Sequence, residues 1–91
     1  MSEKIRYTIR VTGRVQGVGF RYSTLREAQN ENITGYVKNM PDGSVEIEAE
    51  GSKDQLDIFV EWCRRGPGLS HVESLIVDPL PPAGHEEFRI I

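Results

Sequence analysis

Residues 13–21, GRVQGVGFR, place Gly13, Gly17 and Gly19 shortly before Arg21. A glycine-rich connection that runs into a helix can aim several backbone N–H groups at one point, where the helix dipole favours an anion. The guanidinium of Arg21 would add a permanent positive charge that can grip a phosphate through two parallel hydrogen bonds. Glycines are also common in simple bends, so this stretch alone leaves both a bend and an anion cradle open.

The stretch does not match two better-known nucleotide-binding loops. The phosphate loop of nucleotide hydrolases has Lys-Ser or Lys-Thr after its last glycine, where this sequence has Phe20 and Arg21. The dinucleotide-binding fingerprint requires a glycine at the position of Tyr22. Any anion bound here would therefore be held in another way.

Other reactive side chains form no second constellation. His71 and His85 have no partner at metal-ligand spacing, and Ser23 has no evident base. Cys63 lies on the apolar stripe of a predicted helix, where a small buried hydrophobe is expected rather than a nucleophile. We therefore expect neither a metal ion nor a cofactor.

Periodicity and capping signals predict the elements that position these residues. Apolar residues alternate over 4–12, and a hairpin is predicted over 34–50 with its turn at Pro41-Asp42-Gly43. Helical spacing of Tyr22, Leu25 and Ala28 predicts a helix over 21–31, ending at Asn32. The predicted elements in the second half of the chain are a helix over 53–65, with a capping box of Ser52 and Gln55 and an apolar stripe of Leu56, Phe59, Val60 and Cys63, and extended segments over 71–80 and 86–91.

The order β-α-β-β-α-β with an extra C-terminal strand is the split βαβ, or ferredoxin-like, pattern of the α+β class. It predicts two helices on one face of an antiparallel sheet, with the first and third strands as central neighbours. The other face would be solvated and charged, with Lys4, Arg6 and Arg10 opposite Glu46, Glu48 and Glu50. Asn39, at the end of the second strand, could lie at the same edge as the glycine-rich loop, although a strand-end asparagine is also an ordinary turn residue.

Composition restricts the classes of function. With 91 residues we expect a single domain over residues 1–91, and a net charge of −3 argues against a nucleic-acid partner. No apolar run resembles a signal peptide or a membrane span, and the single cysteine cannot form an internal disulfide. We therefore expect a cytoplasmic protein with no membrane partner, and a monomer because no large apolar surface stripe is evident.

Two segments together resemble the signatures of the acylphosphatase family. These are GRVQGVGFR with Val11 two residues before it, and GYVKN (35–39) followed by DGSVEIEAEG (42–51). The resemblance extends to RGP at 65–67 and FRI at 88–90. The departures are small, since Ser23 replaces a bulkier residue and Asn32 stands where glycine is common, and neither position carries function.

The resemblance implies hydrolysis of a small-molecule acyl phosphate to a carboxylate and phosphate. It implies that Arg21 completes a phosphate clamp and that Asn39 holds the attacking water, while the glycines keep side chains out of the way. The residues whose backbone N–H groups would cradle the phosphoryl oxygens are Val15, Gln16, Gly17, Val18, Gly19 and Phe20.

Other functions on the same fold remain open at this point. A non-catalytic anion-binding module would keep the loop and Arg21 but would not need Asn39. A split βαβ RNA-binding domain would need aromatic residues on the open sheet face, which here carries Lys, Arg, Thr and Glu. Related domains also serve within larger carbamoyl-transferring enzymes.

Overall fold

A computed structural model describes residues 3–91 as a five-stranded sheet covered by two helices. The strands follow the order β4-β1-β3-β2-β5; all neighbours are antiparallel except β5, which runs parallel to β2. The predicted α+β ferredoxin-like arrangement, with the first and third strands as central neighbours, is confirmed. The elements are β1 (Ile5–Arg14), α1 (Phe20–Asn30), β2 (Thr34–Asn39), β3 (Val45–Gly51), α2 (Lys53–Arg65), β4 (His71–Leu80) and β5 (Phe88–Ile90).

The alternating segments of β1 and β3 form the centre of the core. Ile9 lies opposite Ile47, and Val11 lies opposite Val45, with all four side chains buried against the helices. Because strand side chains alternate between faces, this register sends the charged residues between them to the opposite face. The pairing thus fixes β1 and β3 relative to each other, and with them the loops at their ends.

Helix α2 follows the sequence signals closely. The Ser52 hydroxyl accepts a hydrogen bond from the Gln55 N–H, and the Gln55 side chain accepts one from the Ser52 N–H, which completes the capping box. The predicted apolar stripe is buried, including Cys63. Burial and the nearby charge of Glu27 raise the pKa of the Cys63 thiol, so it is held as an unreactive thiol in the core.

Helix α1 buries a different stripe from the predicted one. Phe20, Thr24 and Ala28 face the core, whereas Tyr22 is 59% exposed. The helix begins one residue earlier than expected, and the Thr24 hydroxyl donates to the Phe20 carbonyl at 2.7 Å, which allows a polar residue to be buried. Of the three residues whose spacing predicted this helix, Tyr22 therefore lies on the exposed side.

The end of α1 has the predicted left-handed residue. Asn32 has a φ of 56°, its N–H donates to Gln29, and the Ile33 N–H donates to Ala28. This pair of bonds is a Schellman ending, which satisfies the last helical carbonyls and directs the chain into β2.

Residues 81–87, which we call the cross-sheet strap, connect β4 at one edge of the sheet to β5 at the other. The side chain of Glu50, only 2% exposed, accepts hydrogen bonds from the N–H groups of Ala83 at 2.7 Å and Gly84 at 3.1 Å. Glu48 lies 3.0 Å from the His85 ring nitrogen. The strap therefore lies against strands whose outer face was expected to be open to water.

The strap also changes the predicted charge pairing. In the register, Arg6 is opposite Glu50 and Arg10 is opposite Glu46, as expected. However, Arg6 donates to Glu48 at 2.9 Å and to the Pro81 carbonyl at 3.0 Å, and Arg10 lies nearest to Asp42, at 3.7 Å. The expected facing pairs fail at Glu50 because backbone N–H groups of the strap take its carboxylate instead.

Candidate active site

A cavity of about 190 Å³ lies where the loop after β1 meets the start of α1 and the end of β2. We call residues 15–19 the glycine loop. The structure brings Arg21 and Asn39 together at this cavity, as the shared sheet edge predicted. The lining residues are Val15, Gly17, Gly19, Phe20, Arg21, Tyr22, Asn39 and Ile90.

Two of the predicted loop residues do not line the cavity. The amide of Gln16 donates to carbonyls of the β2–β3 turn, and the partly buried side chain of Val18 packs against the core. The predicted role of Gln16 and Val18 concerns their backbone N–H groups and does not require their side chains to line the cavity.

The glycine loop needs its glycines for backbone conformation. Gly17 and Gly19 have φ values of 74° and 78°, in the left-handed region that residues with a Cβ rarely adopt. A Cβ built on either residue meets nothing within 4 Å. The two glycines therefore have a conformational role, and the further role of keeping side chains away from a bound phosphate stays a prediction.

The backbone N–H groups of residues 15–20 donate to no acceptor in the part of the chain that the structure describes. Gly19 caps helix α1 and provides no side-chain hydrogen bond to its first turn. Unpaired N–H groups at a helix N-terminus carry a partial positive charge and favour an anion. The loop therefore has the hydrogen-bonding potential of an anion cradle.

Arg21 brings a full positive charge to this cradle. It lies in the first turn of α1, and within residues 3–91 no carboxylate oxygen lies within ion-pair distance of its guanidinium. Several other cations of the molecule, such as Arg6 and Lys53, are neutralised by carboxylates. An arginine whose charge is not neutralised at a helix N-terminus is suited to binding a phosphate in a bidentate way.

Asn39 lines the same cavity, and its side chain has an acceptor without a partner. Its position at the end of β2 is fixed by pairing with Val45, and its Oδ1 atom is buried without a hydrogen-bond partner among the described residues. A buried carbonyl oxygen without a donor is unfavourable, by about 1–3 kcal/mol. Buried polar atoms in proteins usually have a partner, so an acceptor left without one at a residue that lines the cavity is a candidate for a ligand contact.

Tyr22 and Ile90 also line the cavity, although no pattern in the sequence was read as placing them there. The position of Tyr22, directly after Arg21 in the first helical turn, was a signal that could have placed it at the cavity. Ile90 gave no such signal, because its place depends on the parallel pairing of β5 with β2, and that pairing depends on the strap. These two side chains are the exposed apolar part of the lining.

A larger open depression, of about 640 Å³, lies beside the strap and is less suited to an anion. Two of the side chains that line it already have partners, since Arg89 lies 2.9 Å from Glu87 and the His85 ring nitrogen lies 3.0 Å from Glu48. Residues 3–91 contain no group of three or more His, Cys, Asp or Glu side chains placed to hold a metal ion. The expectation of a metal-free reaction stays a prediction.

No helix formed by residues 3–91 combines the length and the apolar character needed to cross a membrane.

Comparisons with known proteins agree with the geometry. An acylphosphatase of Yersinia pseudotuberculosis is 48% identical over 88 residues, which cover 96% of each chain. The crystal structure of an acylphosphatase from Bacillus subtilis has a TM-score of 0.93 and 44% identity, covering 96% of this chain and 98% of that one. Full-length HypF, crystallised in a phosphate- and nucleotide-bound form, has a TM-score of 0.90 and 26% identity over all of this chain but only 12% of its own. The acylphosphatase family model matches residues 7–90, and the chain belongs to this family.

Proposed function

We propose that this chain is a hydrolase that cleaves the carboxyl-phosphate bond of acyl phosphates. The observation that carries the proposal is one cavity lined by the glycine loop with its unpaired N–H groups, by Arg21 without a neutralising carboxylate, and by Asn39, whose side-chain oxygen has no partner among the described residues. Membership of the acylphosphatase family supports the same reaction.

The first step is capture of the phosphoryl group. The N–H groups of residues 15–20 bind its oxygens, and Arg21 binds two of them through parallel hydrogen bonds. Phosphoryl transfer proceeds through a loose transition state, which demands positioning and charge stabilisation more than covalent chemistry. The cradle supplies both.

The second step is attack by water. The Asn39 oxygen accepts a hydrogen bond from the water and holds it in line with the departing carboxylate. The conjugate acid of that leaving group has a pKa of about 4, so the carboxylate departs without a general acid. The phosphoryl oxygens accept the proton of the water, and therefore no histidine or carboxylate pair is required.

The acyl side of the substrate meets a small apolar rim. Tyr22 and Ile90, 59% and 40% exposed, lie at the open side of the cavity, so the site recognises mainly the phosphate. We infer that small-molecule acyl phosphates with differing acyl groups are accepted. Nothing in the acidic sheet face favours a nucleic-acid partner.

The organisation of the chain is part of this proposal. We infer that residues 1–91 act as a single domain and that the protein is a monomer. A cytoplasmic location is consistent with a cysteine that is buried as a thiol rather than oxidised.

The competing function is a non-catalytic phosphate-binding module. The buried oxygen of Asn39 favours catalysis, because a module that only binds an anion would gain nothing from a carbonyl oxygen beside it.

The test is release of phosphate from acetyl phosphate by the purified chain, with inorganic phosphate added as an inhibitor. We expect turnover with competitive inhibition by phosphate, since substrate and product share the cradle. Binding of phosphate without turnover would instead identify the binding module, and inhibition that is not competitive would contradict a shared site.

A further inference from the structure

The side chain of Gln16 connects the two halves of the candidate active site. Its Nε2 atom lies 2.8 Å from the Met40 carbonyl oxygen and 2.8 Å from the Ser44 carbonyl oxygen. Both partners are acceptors only, so the amide nitrogen must face them and donate one hydrogen to each. Gln16 thus joins the middle of the glycine loop to the β2–β3 turn.

The turn that receives these bonds is itself well fixed. The Met40 N–H donates to the Ser44 carbonyl at 2.8 Å, and the Gly43 N–H donates to the Met40 carbonyl at 3.1 Å. The Asp42 carboxylate accepts hydrogen bonds from the Ser44 N–H and hydroxyl, which lower the pKa of Asp42. Gln16 is therefore attached to a rigid unit rather than to a mobile loop.

The attachment lies next to Asn39. Met40 directly follows Asn39 in the chain, whereas the glycine loop holds its shape through two left-handed glycines and makes no backbone hydrogen bonds through the N–H groups of residues 15–20 in the described chain. Without the Gln16 amide, the structure shows no direct hydrogen bond between the loop and this turn among the described residues.

We propose that Gln16 is a positioning residue, whose side-chain amide sets the distance between the bound phosphoryl group and the water held by Asn39. This inference rests on the proposed function and adds to it a role for a side chain that does not line the cavity. Displacements of about 1 Å in a catalytic site can cost about 100-fold in rate, so the expected effect is on turnover.

The experiment compares Gln16→Met, which keeps the length of the side chain but loses both donors, with Gln29→Met. Gln29 is exposed on α1 and serves as the control. We expect Gln16→Met to lower kcat for acetyl phosphate by about 10- to 100-fold. KM and the inhibition constant of phosphate should change by less than about threefold, because the cradle itself is retained.

A double-mutant cycle separates positioning from a general structural role. If Gln16 acts through Asn39, Gln16→Met should lower kcat by less than about twofold once Asn39→Ala is present. An undiminished effect in the Asn39→Ala background would overturn the proposal. So would a lower melting temperature with an unchanged kcat.

Amide hydrogen exchange tests the connection independently of activity. Gln16→Met should accelerate exchange at Met40, Gly43 and Ser44, whose N–H groups are hydrogen-bonded within the turn, while Gln29→Met should not. Unchanged exchange would show that the amide does not hold the two segments together. If the parent chain hydrolysed no acyl phosphate, the proposed function would fail, yet the exchange result would still decide whether the connection exists.

Discussion

The glycine loop and the cross-sheet strap use the same backbone chemistry for opposite purposes. Each presents N–H groups that can bind an anion. In the strap the anion is built in, because the buried carboxylate of Glu50 accepts from Ala83 and Gly84. In the glycine loop no carboxylate of residues 3–91 is hydrogen-bonded to the N–H groups of residues 15–20. A satisfied strap stabilises the fold, whereas an unsatisfied loop can bind a ligand.

The side chains that hold the two segments in place also differ in charge. The strap is held by the charged side chains of Glu48, Glu50 and Arg6 and by the ring of His85. The glycine loop is held by the neutral amide of Gln16. A neutral connection adds no negative charge that would compete with a bound phosphate. We therefore expect changes at the loop to affect turnover and changes at the strap to affect stability.

The largest effect is expected at Arg21. Arg21→Ala removes the full positive charge that the described residues bring to the cavity, and it should lower kcat/KM by at least about 10²- to 10³-fold while weakening inhibition by phosphate. Arg26→Ala, on the exposed side of the same helix, is the matched control and should leave both unchanged. Phosphate-release kinetics measure both. If Arg21→Ala retained more than about a tenth of the parental rate, the claim that the glycine loop and Arg21 form the catalytic anion site would be contradicted.

Asn39→Ala should have the next largest effect, and on a different constant. Because its oxygen acts on the water rather than on the phosphate, kcat should fall about 100-fold with little change in KM. Asn30→Ala, exposed at the end of α1, is the control. Turnover of acetyl phosphate at the parental rate would show that Asn39 does not position the water.

At the strap, the strongest effect is expected from Glu50→Gln. The change keeps the shape of the side chain but replaces a charged acceptor, and brings an amide NH₂ toward backbone donors. It should lower the free energy of unfolding by about 1–3 kcal/mol while leaving kcat at 25 °C within about twofold of the parent. Urea unfolding measures the first and phosphate release the second. Glu86→Gln, exposed on the strap, should change neither, and a large loss of kcat in folded Glu50→Gln would break the separation between the two segments.

The charged strap should also make stability dependent on pH. Burial raises the pKa of Glu48, but hydrogen bonds from His85 and Arg6 and their charges outweigh it, so the net pKa lies below its usual 4.5. A carboxyl with a lowered pKa in the folded state stabilises the protein above the unfolded-state pKa, and this contribution is lost as pH falls through the folded-state pKa. The free energy of unfolding should therefore fall below about pH 4.5. Denaturant unfolding at pH 3–7 should show a shallower decline in Glu48→Gln, and an identical slope would remove Glu48 as a cause.

The contrast also explains what could be predicted from sequence. Motifs within one segment were sufficient for α2, whose capping box and apolar stripe are both local, and for the glycine loop with Arg21. The positions of Ile90 and of the strap depend on Glu50 accepting hydrogen bonds from residues more than thirty positions away. No periodicity signals such a bond, and for this reason the sheet face was expected to be fully solvated.

Within the site, the sequence predicted which functional side chains are present better than it predicted the residues that surround them. Arg21 and Asn39 were correctly expected at one edge, because strand order alone brings those ends together. Tyr22 has the spacing of an apolar helical stripe with Leu25 and Ala28, but it is exposed, and the buried Thr24, whose hydroxyl is satisfied by Phe20, faces the core instead. Helical spacing does not show which of two adjacent faces can satisfy a polar side chain.

The smallest effect is expected from removal of metal ions by a chelator. This experiment tests whether carboxylates near the strap take part in the reaction at the glycine loop. Glu48 and Glu50 on β3 contact the strap, whereas among residues 3–91 no carboxylate lines the cavity. A carboxylate leaving group needs no Lewis acid, and Arg21 with the loop N–H groups stabilises the charge of the phosphoryl group. Dialysis against EDTA should therefore leave the rate of acetyl phosphate hydrolysis unchanged. Loss of activity that a divalent ion restores would contradict this expectation. Glu48→Gln would then show whether the carboxylate beside the strap binds that ion, and loss of the restoration in this variant would make the strap part of the catalytic machinery.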